Sequence, residues 1–136
     1  MSDLEHSFRF NVIPFDGALL VESIYPRSID VNRLSETISN YYDLWDADEP
    51  ILALGDVSKV ELFPDDVKKI LLSVLTRTVL QSNFVSAAWY THGNSLMTSV
   101  LEELLHEMGR SPASIFETRD AAIEYLARHL ERYRRK

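Results

Sequence analysis

No cysteine occurs among the 136 residues, which removes disulfides, thiolate metal ligands and nucleophilic thiols together and fits a reducing compartment. Stability must then come from packing. Glycine and proline are scarce, 4 and 5 residues, too few for a fibrous or disordered chain. Long apolar runs are missing as well, none approaching the roughly 18 residues of a membrane helix, so no membrane span is expected. The opening residues carry Asp3 and Glu5 instead of a basic stretch leading into an apolar one, which does not read as a signal peptide. Basic residues are outnumbered, 14 Lys and Arg against 21 Asp and Glu for a net charge of -7. Binding a polyanion needs clustered cations, so nucleic acid is not expected as a partner. Together these absences lead to the expectation of a cytoplasmic protein.

What is present is an ordinary globular composition, 46% hydrophobic and 26% charged, at a length that suits one domain over residues 1–136 with one core. The basic end, about residues 128–136, holds five Lys or Arg against one Glu. It reads either as an interaction tail or as cations complementing the dipole at a helix C-terminus.

Phe8, Phe10 and Val12 alternate with Arg9, Asn11 and Ile13, the period of a strand with one buried face, before the turn residues Pro14-Phe15-Asp16-Gly17. A hairpin follows, its second strand running from Ala18 to Tyr25 as a more continuous apolar segment suited to an inner strand. Asp30 is placed as an N-cap for a helix whose apolar positions are Val31, Leu34, Ile38, Tyr41, Tyr42 and Trp45. Ile51 to Val57 reads as a central parallel strand. Pro64 at the first helical position, then Asp65 and Asp66 in the first turn, opens a second helix with the stripe Val67, Ile70, Leu71, Val74, Leu75 and Thr78.

Phe84 to Tyr90 is another strand, and Thr91 to Ser95 a loop ending in a cap. The third helix uses Leu96, Val100, Leu101, Leu104, Leu105 and Met108, with Gly109 as its C-terminal cap. After Pro112, Ala113 to Glu117 forms a last strand, and Thr118 caps a final helix lined by Ala122, Ile123, Leu126, Leu130 and Tyr133. The order β-β-α-β-α-β-α-β-α predicts an α/β fold, a mixed and mostly parallel sheet of about five strands with four helices.

This order, from about Phe8 to Leu130, resembles the STAS-like superfamily, and within it the SpoIIAA-like proteins related to bacterial anti-sigma-factor antagonists. The opening hairpin carries the resemblance. So do Leu54-Gly55-Asp56-Val57-Ser58-Lys59-Val60, similar to a strand ending in Asp-x-Ser, and Phe116-Glu117-Thr118 with Ala121-Ala122 and Tyr125-Leu126 behind it. The resemblance implies a non-enzymatic regulatory or protein-interaction module with a protein partner and no cofactor. In partner-switching antagonists a kinase phosphorylates a serine at the start of the helix after that strand. Here the stretch reads Leu62-Phe63-Pro64-Asp65-Asp66, so acids stand at the matching positions and no phosphorylation site is carried over. A carboxylate there partly imitates a phosphoserine, although acids in a first turn are also common helix stabilisers.

Ligands of open α/β sheets gather outside the carboxyl ends of the strands. That edge is expected to hold Asp56, Ser58, Asp65, Asp66, Tyr90, Thr91, His92 and Asn94. They read as a polar binding site with His92 as its titratable member, or as turn and cap residues. An enzyme would need Asp56 and His92 within hydrogen-bond reach, and no nucleophile, base and orienting group stand at a recognisable spacing. The four histidines, His6, His92, His106 and His129, are scattered, so no metal is expected, and no glycine loop suited to phosphate is present.

Two further surfaces follow from the pattern. A small-molecule or lipid-binding alternative calls for an apolar cavity between the sheet and helix one or two, lined by Leu34, Ile38, Trp45, Ile70 and Val74. The hairpin edge and the amphipathic helices also offer surfaces for a homodimer.

Overall fold

A computed structural model of the chain describes residues 7–109 and 113–135. The expectations for residues 1–6, Pro112 and Lys136 lie outside them. Strands β1 (Arg9–Phe15) and β2 (Ala18–Ile24) pair antiparallel with Phe15 opposite Ala18. Asp16 and Gly17 join them with φ of 52° and 82°, the two positive values that a tight hairpin turn matching strand twist requires. The turn is thus two residues long, and Pro14 and Phe15 belong to the strand. Pro14, which has no N–H to give, is tolerated because β1 is an edge strand.

From β2 the chain repeats a helix and a parallel strand: α1 (Val31–Asp43) with a short 3-10 turn (Leu44–Asp46), β3 (Ile51–Asp56), α2 (Asp65–Val79), β4 (Phe84–Tyr90), α3 (Ser95–Met108) and β5 (Ala113–Phe116). The five strands lie in sequence order, with β2 to β5 parallel. Because each crossover advances the sheet in the same direction, crossovers of one hand put α1, α2 and α3 on one face. Leu34, Val67, Met97, Leu101 and Leu104 from these helices pack there with Tyr25 and Trp89. Met97, Leu101 and Leu104 are fully enclosed, each contributing about 1.5–3 kcal/mol of burial.

The opposite face is left to α4 (Arg119–Arg134), whose Ala122, Leu126 and Leu130 cover Leu20, Leu52, Leu54 and Ala88. Thr118 caps α4 through the Ala121 amide, and Asp30 caps α1 through that of Asn32. At the far end of α4, Arg134 reaches Asp16 in the hairpin turn at 3.1 Å, and Arg135 pairs with Glu131. Part of the basic end is therefore engaged with the chain's own carboxylates.

Several expectations shift. Val12 faces solvent, 44% exposed, while Ile13 and Phe15 pack on the α4 side; the edge strand reaches beyond the helix layer that covers Phe8 and Phe10. Val31 is exposed, and Trp45 leaves α1 for the 3-10 turn, packing with Val21 and Ile51. Pro64 is the N-cap of α2, one place before the first helical residue. Asn94 caps α3, which turns Met97 inward and Leu96 outward. Glu117 falls outside β5, and Tyr133 is exposed.

Candidate functional site

The carboxyl ends of the parallel strands carry a set of loops that the backbone ties together. Glu61 and Leu62 both donate to the Arg27 carbonyl, joining the β2–α1 loop to the β3–α2 loop. Val57 donates to Tyr90, Thr91 to Phe116 and His92 to Glu117, which fastens the next two connections.

Within this edge, Asp56 Oδ1 accepts from the Ser58 amide at 3.0 Å and from its hydroxyl at 2.6 Å. That closes an Asx turn, the local role short polar side chains play after a strand. Asn94 works at longer range. Its Oδ1 accepts from the Met97 amide, while its Nδ2 donates to the carbonyls of Val57, Ser58 and Val60 at 3.1, 3.3 and 2.8 Å. One side chain thereby caps α3 and pins the β3–α2 loop to it.

Ser58, His92 and Asn94 line one shallow groove together with Arg27, Lys59 and Glu61. His92 is exposed, with φ of 48° and its ring edge-on to Tyr90 at 5.3 Å. Among the described residues Asp56 and His92 share no hydrogen bond, so they do not form a proton-transfer pair. Asp65 and Asp66 stand apart from the groove, exposed in the first turn of α2. Leu62, just before them, is 56% exposed. The described residues contain no cluster of three or more potential metal ligands; Glu103, near His106 on α3, pairs with Lys68 of α2.

On the α4 face lies a group that the sequence reading passed over. Glu22 of β2, 5% exposed, is held by Arg119 through two bonds, Nε to Oε2 at 3.1 Å and Nη2 to Oε1 at 2.9 Å. The Tyr90 hydroxyl donates to Oε2 at 2.5 Å. Burial works to raise the Glu22 pKa, yet the bonds from Arg119 and Tyr90 outweigh it and hold the carboxyl below its ordinary value. Burial and the neighbouring carboxylates of Glu22 and Asp56 push the Tyr90 phenol up. A lone acid between Leu20-Val21 and Ser23-Ile24 was the available signal, since an inner strand has no solvent for a charge.

A cavity of about 80 Å³ lies between the sheet, α1 and α2. Leu34, Ile38, Ile70 and Val74 line it as expected; Trp45 does not. The aromatic residues of α1 are largely covered: Tyr41 lies tilted against Phe10 and edge-on to Trp45, and the Arg77 guanidinium sits 4.1 Å over the Tyr42 ring.

Solved structures share this arrangement of sheet and helices. An anti-sigma factor antagonist from Mycobacterium paratuberculosis aligns with a TM-score of 0.57 at 18% identity, over 89% of this chain and 95% of that one. The fold is STAS-like. An anti-sigma-factor antagonist (STAS) domain protein from Planctomyces limnophilus also aligns at 0.57, with 13% identity over 85% of this chain and 96% of that one. No family model and no curated protein matches the chain. No described helix is long and apolar enough to cross a membrane. Within this fold the first turn of α2 carries Asp65 and Asp66, both exposed.

Proposed function

We propose that the chain is a non-enzymatic regulatory module that docks onto a protein partner through the β3–α2 loop and the start of α2. The observation that carries this reading is the combination of rigidity and exposure in one segment. The loop is fastened by Asn94 on one side and by the Arg27 carbonyl on the other, yet it holds Leu62 out at 56% exposure. A pre-ordered apolar residue beside two carboxylates gives a partner contact area at little ordering cost and charge to select its register. The groove of Ser58, His92 and Asn94 extends the same surface.

The anti-sigma-factor antagonists that share the fold support a protein partner; exposed Leu62 and the two carboxylates would suit one that presents an apolar pocket rimmed by cations. A homodimer through the free edge of β1 is less well served, because Pro14 interrupts the donors along that edge. Affinity capture from the source cells tests the docking reading, with the wild type beside Leu62→Asp and an Asp65→Asn, Asp66→Asn double variant. A protein retained stoichiometrically by the wild type and lost from these variants supports the surface. Equal retention by all three overturns it.

A further inference from the structure

The cavity beneath α1 has a definite structural origin. Across the middle of the sheet its floor is made of small residues, Ser23 on β2, Ala53 and Gly55 on β3, and Ala87 on β4. In register, Ser23 lies beside Gly55 and Ala53 beside Ala87, so the shortage of side chain is contiguous. Gly55 cannot be larger, since a Cβ there would run into the Trp89 indole ring at Cδ1. Above the floor, α1 buries Leu34 alone, although Ile38 and Tyr41 also line the cavity. The layer is therefore under-filled where a close-packed core would close it.

The chemistry of the lining selects an occupant. No Asp, Glu, Lys, Arg or His contributes to it, so a charged group would enter without a counter-ion, at a prohibitive desolvation cost. Most of the wall is hydrocarbon, which disfavours ordered water as the permanent filling. One polar group stands out. Tyr25 is 6% exposed and lines the cavity; its hydroxyl accepts from Trp89 Nε1 at 3.4 Å, and no described residue takes its own proton. Buried hydroxyls are normally satisfied as donors as well.

We propose that this cavity binds a small, neutral, mostly hydrocarbon molecule carrying one acceptor oxygen that receives the Tyr25 hydroxyl. Apolar cavities of about 150 Å³ take benzene. At about 80 Å³ this partly open space holds part of such a molecule, and the remainder lies toward the half-buried Phe8, Phe10 and Thr37, between the sheet edge and α1. Neither Leu62 nor His92 lines the cavity, so ligand binding and the loss of docking in Leu62→Asp are read out separately.

The test is an NMR titration of the 15N-labelled protein with two probes of one shape, acetophenone, which is neutral with a single carbonyl, and benzoate, which is anionic. Acetophenone is expected to give a saturable shift of the Trp89 indole N–H, and benzoate none over the same range. Val74→Phe and, from the floor, Ala53→Val fill the space and should weaken acetophenone at least tenfold. Tyr25→Phe keeps the shape and removes the donor, for a loss of about fivefold, the worth of one hydrogen bond. Absence of a saturable shift in the wild type, equal binding of benzoate, or unchanged affinity in a folded filling variant would overturn the proposal.

Discussion

Replacing Arg119 with Met leaves the Glu22 carboxylate inside the protein without its cation, and the structure sets the size of the penalty. Removing one partner of a fully buried pair costs about 3–5 kcal/mol. The Glu22 side chain is 6% exposed but that of Arg119 is 40% exposed, so water screens part of the interaction and the expected loss falls to about 2–3 kcal/mol. With a urea m-value of about 1–3 kcal/mol per M for a domain of this size, the unfolding midpoint should drop by roughly 1–2 M at pH 7. A Glu22→Met, Arg119→Met double variant removes both charges and should recover much of the loss.

The sign with pH is fixed by the direction of the Glu22 shift. Its folded pKa lies below the ordinary 4.5, so its contribution is fully present above 4.5 and is lost as the pH falls through the lower folded value. Without Arg119, burial dominates and the carboxyl protonates more readily, so the gap between wild type and Arg119→Met should be widest at neutral pH and narrow on acidification. Urea titrations at pH 7 and below pH 4.5 measure this. A variant within about 0.5 kcal/mol of wild type at pH 7, or a gap that widens in acid, would refute the reasoning.

Asn94→Ala removes an N-cap worth about 1 kcal/mol and the three carbonyl contacts that pin the β3–α2 loop; a total loss of about 2–3 kcal/mol is expected. Hydrogen exchange should quicken selectively from Val57 to Leu62, and unchanged exchange there would show that the loop is held by something else. Gly55→Ala forces a methyl against Trp89 and should cost about 1–3 kcal/mol, read as a fall in thermal midpoint. Leu62→Asp, at an exposed position, should leave stability within about 0.5 kcal/mol by denaturation while abolishing partner capture; a large loss of stability would assign Leu62 to the core instead.

Local chemistry made the order of elements legible. Thr118, Asp30 and the Asp16-Gly17 pair each act where their side chain or backbone preference dictates, and β4 spans the predicted Phe84 to Tyr90. The phase of α3 was less accessible, because Leu96 and Met97 are both apolar and either begins a workable stripe. The Asn94 cap settles it by fixing which residue enters the first turn, and Met97 then aligns with Leu101 and Leu104. Val12 escaped for a different reason: periodicity reports which face a residue takes, not how far along a strand the covering helices extend.

The candidate sites divide along the same line. Asp56, Ser58 and Asn94 were visible because turn and cap residues act within a few positions of themselves, although Asn94's grip on the preceding loop was not. Glu22 and Arg119 are separated by 97 residues, and a charge in an inner strand announces that a partner exists without saying which. The cavity floor is harder still. Ser23, Ala53, Gly55 and Ala87 sit in three separate segments, each small residue unremarkable in its own strand. Only the register of the parallel sheet sets them side by side, and one-handed crossovers then place α1 and α2 above them on a single face. The expected helix-side lining, Leu34, Ile38, Ile70 and Val74, followed from amphipathic spacing; the space in front of it follows from pairing.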